Sequence, residues 1–139
     1  MEVITEFIYV STKGNSEVID ITEKVEEKVH HHKVENGVVV VFVVGSTACI
    51  TTTEYEPGLR KDIPAALERV APKNEQYHHN DTWGDGNGYS HVRASFIGPS
   101  LTIPIVGGKL ALGTWQQVVL IDCDIRGRDR KIILQIMGK

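Results

Sequence analysis

The run Val38-Val-Val-Val-Phe-Val-Val44 constrains the fold of this chain more than any other stretch, because every residue in it except Phe42 is valine. β-Branched side chains are stiff about χ1 and pack well on a pleated surface. A run of them without polar alternation reads as a strand covered on both faces. Gly45-Ser46 interrupts it, and Cys49 to Thr53 resumes as a threonine-rich strand. Such strands need partners, and the chain supplies them. Glu2 to Ser11 alternates, with Val3, Thr5, Phe7 and Tyr9 on one side. Tyr89–Ile97, Leu101–Val106, Lys109–Leu112, Gln116–Cys123 and Arg130–Met137 are further apolar runs, read here as strands. Gly98-Pro99 and Gly107-Gly108 are turn signals between them.

Helical signals are fewer. Asp20-Ile-Thr-Glu23 has the form of a capping box, and Ile21, Val25 and Val29 follow as one helical stripe. A second helix is expected to be capped by Asp62, with Pro64 in its first turn and Ile63, Leu67 and Val70 as its stripe; Pro72 stops it. His30-His31-His32 reads as a solvated helix end, since three consecutive residues share no face. One or two helices in a strand-rich chain define an α+β class, with a mainly antiparallel sheet or sandwich. The 139 residues fit a single domain, 1–139.

Composition narrows the partners. A net charge of −3 argues against nucleic acid and against an anionic membrane, both of which call for a basic face. Arg126, Arg128, Arg130 and Lys131 form only a local basic patch. Cys49 and Cys123 sit in apolar runs and read as buried free thiols. No apolar run approaches the roughly 20 residues of a membrane helix, and Met1-Glu2 opens no charged-then-apolar leader. The expectation is a soluble cytoplasmic protein.

Candidate chemistry concentrates between His79 and Gln116. His79 and His91 flank the glycine-rich stretch Asp85-Gly-Asn-Gly88, each at the expected edge of a strand. If the loop folds back, both imidazoles converge and can bind zinc or a similar ion, with Asp81 or Asp85 adding oxygen. The same spacing also fits two hydrogen-bonded histidines at a sheet edge. Asp85-Gly-Asn-Gly88 reads equally as a ligand loop or a tight turn. Glu54 and Glu56 follow a strand end, as general bases or as solvated turn residues. Ser46 and Thr47 can offer hydroxyls and N–H groups to an anion. Arg128 and Arg130 suit phosphate or carboxylate, or else protect a sheet edge. Trp115 can stack on a flat heterocycle or fill core space. No nucleophile elbow, CxxC or GxGxxG motif occurs.

The segments GSTACITTTEYEPGLRKDI, YHHNDTWGDGNGYSHVRASFIGPSLTIPI, GGKLALGTWQQVVLIDCD and RDRKIILQIMG, spanning most of the chain from Val38 onward, resemble the YjbQ family. This is an uncharacterised protein family of small proteins linked to a secondary thiamine-phosphate synthase activity. The resemblance implies a compact α+β homotrimer with sites near subunit boundaries. It maps a polar cluster onto Glu54, His79, Asp85, Asn87, His91, Ser95 and Gln116, and an arginine pair onto Arg128 and Arg130. The implied reaction joins a pyrimidine pyrophosphate to a thiazole phosphate and releases pyrophosphate. In it His79, His91, Asp85 and Glu54 would be catalytic. Asn87, Arg93, Ser95, Trp115, Gln116, Arg128 and Arg130 would bind substrate. A divalent metal, zinc or magnesium, would sit on His79, His91 and Asp85. Two other readings stay open: a metal-dependent enzyme acting on another phosphorylated small molecule, and a non-catalytic trimer that binds a metabolite or ion. Two departures stand out: Gly45 where many relatives carry histidine, and Arg93 where lysine is common.

Overall fold

The computed structural model describes residues 2–139. The chain runs β1 (Glu2–Ser11), β2 (Glu17–Asp20), α1 (Thr22–His31), β3 (Asn36–Val43), β4 (Ala48–Thr53), α2 (Leu59–Val70), α3 (His78–Trp83), α4 (Gly88–Ile97), β5 (Ser100–Val106), β6 (Lys109–Leu110), β7 (Gln117–Asp122) and β8 (Asp129–Gly138). Every strand pairing is antiparallel. A five-stranded sheet has the order β1-β8-β3-β5-β6, and a three-stranded sheet the order β2-β7-β4. The α+β class therefore holds, with four helices where one or two were expected.

The sheets and helices stack in three layers. Ile8, Val39, Val41, Val43, Ile132, Leu134 and Ile136 of the larger sheet meet Ile50, Val118 and Leu120 of the smaller one. Val25 and Val29 of α1 close the same core. Each such side chain, fully buried, contributes roughly 1.5–3 kcal/mol relative to leaving it in water. On its other face the smaller sheet presents Val18, Cys49, Val119, Ile121 and Cys123 to Leu67 of α2 and Ala94 of α4. The middle sheet is thus covered on both sides.

Four expectations change. The strand covered on both faces is β7, in which Val118 to Asp122 are all buried, rather than β3. In β3 only Val39, Val41 and Val43 turn inward, while Val38 and Val40 are half-buried and Phe42 is exposed. Residues 89–97 form α4 rather than a strand, because Tyr89, Ser90, Arg93 and Ala94 are buried at helical spacing against the middle sheet. Helix α2 begins at Leu59, before Asp62, because the Glu56 carboxylate accepts from the N–H groups of Gly58 (2.9 Å) and Leu59 (2.5 Å). Pro64 consequently lies inside the helix. At α1, Asp20 accepts from the Thr22 N–H at 2.9 Å, but the reciprocal bond of a capping box is not made.

Candidate functional site

Two short helices bring the histidines together, so they stand on α3 and α4 and not at strand edges. α3 ends at Gly84, whose φ of +70° is left-handed and turns the chain back toward α4. Gly88 then lets the helices touch. Its N–H donates to Asn80 Oδ1 at 3.0 Å, and a Cβ there would lie 2.6 Å from the Cβ of Tyr77. This close approach sets the His79 and His91 ring centroids 4.5 Å apart. Asp85 Oδ1 lies 3.5 Å from His79 Nδ1. Behind it lies the buried Asn87; with its amide oriented by hydrogen-bonding complementarity, the nitrogen faces Asp85, 2.8 and 3.1 Å from the two carboxylate oxygens. The result is a polar chain of amide, carboxylate, imidazole and imidazole. Half-buried rings beside a fixed carboxylate can exchange protons with a ligand.

The other predicted residues divide into separate places. Ser95 lies one turn beyond His91 on α4 and donates its hydroxyl to the His91 carbonyl at 2.7 Å. Asp81 is apart from the pair, 4.0 Å from His78. Glu54, Trp115 and Gln116 gather at the far end of the middle sheet, where Gln116 Nε2 donates to Thr52 Oγ1 at 3.1 Å. Trp115 is 71% exposed, so its indole fills no core space in one chain.

Arg93 and Arg130 are held inside the protein, whereas Arg128 is exposed. Arg93 is buried, with Nε on the Ala71 carbonyl (2.9 Å), Nη1 on Ser16 Oγ (3.1 Å) and Nη2 on the Glu68 carboxylate. It clamps α4 to α2 and to the turn before β2. Arg130 grips both oxygens of Asp122 through Nε and Nη2, each at 2.8 Å. Arg128 Nε donates to Asp124 at 2.5 Å. For Asp124, burial alone would raise the carboxyl pKa. The Ile125 N–H, the Arg128 guanidinium and the Thr47 hydroxyl outweigh it and hold that carboxyl below its ordinary value. Asp122 and Asp124 were missed at the level of sequence. The signal was present, since two aspartates in the apolar run VVLIDCD must find cationic partners when buried.

Cys49 and Cys123 are free and fully buried, as expected. The neighbouring Cys123 thiol, and then burial, push Cys49 well above the ordinary thiol range.

Among the described residues, no three His, Cys, Asp or Glu side chains are grouped as a metal site requires. His79 and His91 give two imidazoles, and Asp85 is engaged by His79 and Asn87. A catalytic zinc centre calls for three protein ligands, so one beyond the two imidazoles would have to come from Asp85, Asp81 or a second chain.

These observations define a three-layer β/β/α protein whose outer helices carry a paired-imidazole site. Residues 6–139 match the family model described as "UPF0047 protein YjbQ-like". A UPF0047 protein of Methanothermobacter thermautotrophicus is 37% identical over 139 residues, covering 100% of this chain and 95% of that one. The crystal structure of a YbjQ-like protein of unknown function from Sulfolobus solfataricus P2 superposes with a TM-score of 0.94 at 36% identity, covering 99% of both chains. A hypothetical protein from Aeropyrum pernix K1 gives 0.92 at 35% identity, covering 100% of both. The chain belongs to the YjbQ family. No helix in the described residues is long and apolar enough to cross a membrane.

Proposed function

We propose that this protein is a transferase of the thiamine-phosphate synthase type, acting on a small phosphorylated metabolite at the His79–His91 pair. The observation that carries the reading is the polar chain itself: two imidazoles with centroids 4.5 Å apart, one held by Asp85, which is in turn held by the buried Asn87. In the reaction the thiazole nitrogen attacks the pyrimidine methylene carbon. The carbon–oxygen bond breaks, and its electron pair leaves with pyrophosphate. A protonated imidazole of the pair donates its proton to the departing oxygen, and Asp85 steadies the positive ring. Zinc or magnesium here would need a further ligand from water or a second chain, and no step of the proposed reaction runs through one.

The protein is further proposed to be a cytoplasmic homotrimer. Its two free thiols suit a reducing compartment. Val3, Phe7, Tyr9, Phe42 and Val106 leave the outer face of the larger sheet apolar and exposed, as an assembling surface requires.

The test is turnover of a pyrimidine pyrophosphate with a thiazole phosphate, read as pyrophosphate release. His79→Gln, His91→Gln and Asp85→Asn are each expected to lower kcat by about 10²-fold or more. Wild-type rates in all three would remove this cluster from catalysis.

A further inference from the structure

Arg130 is not fully satisfied by its ion pair. Its side chain is 6% exposed, and its Nε and Nη2 are taken by Asp122, with Nη2 also on Thr47 Oγ1 at 2.7 Å. Nη1 makes no hydrogen bond among the described residues. It points at Gly45, where a Cβ would lie only 2.6 Å from it. Gly45 has a φ of +136°, a conformation that other residues rarely adopt. The backbone around it is equally rich in free donors: the N–H groups of Gly45, Ser46 and Thr47 donate to no acceptor within the protein. Gly45 and Ser46 also line a shallow cavity of about 150 Å³ together with Ala48, Ala94, Ser95 and Pro99. Ser95 is four residues from His91, about 6 Å along the α4 axis.

An unpaired guanidinium edge lies against Gly45, which lines the cavity with Ser46, and the three successive free N–H groups of this turn stand beside it; such a concentration of donors binds oxyanions. We infer that the Gly45–Thr47 turn and Arg130 Nη1 form a subsite for the phosphate group of a substrate, beside the His79–His91 pair. The assignment rests on that pair being the reacting centre and adds the place where the phosphate is held. Gly45 is its key residue, because a side chain there would meet Nη1. The carboxylates of Asp122 and Asp124 offset the charges of Arg130 and Arg128. The subsite therefore acts through directed donors rather than net charge, and inorganic phosphate should bind only in the millimolar range.

The test is a titration of the wild-type protein with inorganic phosphate, followed by amide and guanidinium NMR. The amide signals of Gly45, Ser46 and Thr47 and the Arg130 side-chain signal should shift together and saturate. Gly45→Ala should weaken that binding at least tenfold. If Gly45→Ala does not fold, Ser95→Leu, which fills the cavity from α4, should weaken it instead. His91→Gln should leave phosphate binding intact while lowering kcat by about 10²-fold or more, which separates this subsite from the catalytic reading. No saturable shift in the wild-type protein, shifts centred elsewhere, or unchanged binding in a folded Gly45→Ala or Ser95→Leu variant would overturn the assignment.

Discussion

Arg93 shows how one side chain can look like a ligand group in sequence and serve as a clamp in space. Its Nε, Nη1 and Nη2 reach three different partners: a carbonyl after α2, a hydroxyl before β2 and the Glu68 carboxylate. A lysine has a single ammonium on a flexible stem and cannot reproduce that fork. Arg93→Lys should therefore cost about 2 kcal/mol, the scale of losing charge-assisted hydrogen bonds, measured by urea unfolding. His79 and His91 were legible beforehand because glycines on either side of Asn87 allow the chain to double back. Glu68 was not, since nothing local marks an exposed helix carboxylate as the partner of an arginine 25 residues away.

At the level of elements, the turn between β7 and β8 should set part of the acid stability. Asp124 binds its proton more weakly in the folded chain than in the unfolded one. As pH falls past the ordinary carboxylate value of about 4, the unfolded state takes up the proton first. The stability from Asp124 is thus complete above that value and disappears as pH falls through the lower folded one. Asp124→Asn should lower the melting temperature at neutral pH, and the gap to the wild-type protein should close on acidification. Strands β1, β5, β7 and β8 were legible because apolar runs bounded by turns leave little freedom. Helix α4 was not. Val92, Ala94 and Phe96 alternate with His91, Arg93 and Ser95 as in a strand, and only the middle sheet's need for a cover on its second face makes the 3.6-residue period decisive. β2 and α3 are too short to announce themselves.

At the level of the whole molecule, the outer face of the larger sheet awaits company. Phe7 and Phe42 both pair with Ile133, so an apolar row crosses three strands on the side away from the core. If this face joins subunits, Phe7→Lys with Phe42→Lys should shift the particle to a monomer in light scattering. The helical secondary structure should be unchanged by circular dichroism. A trimer that survives both changes would place the contact elsewhere. That expectation came with the resemblance, whereas the valine run alone argued for a strand hidden on both sides.

The doubly covered middle sheet also works as a partition wall. Side chains on the helical layer and those on the outer sheet face opposite directions across it, without shared neighbours over most of its width. Changes on one surface should therefore combine with changes on the other by simple addition. At one end the wall is riveted: Arg130 springs from the outer sheet and is anchored on Asp122 of the middle one. Additivity should break down there first, because Arg130 ties the outer sheet to Asp122 and lies against Gly45.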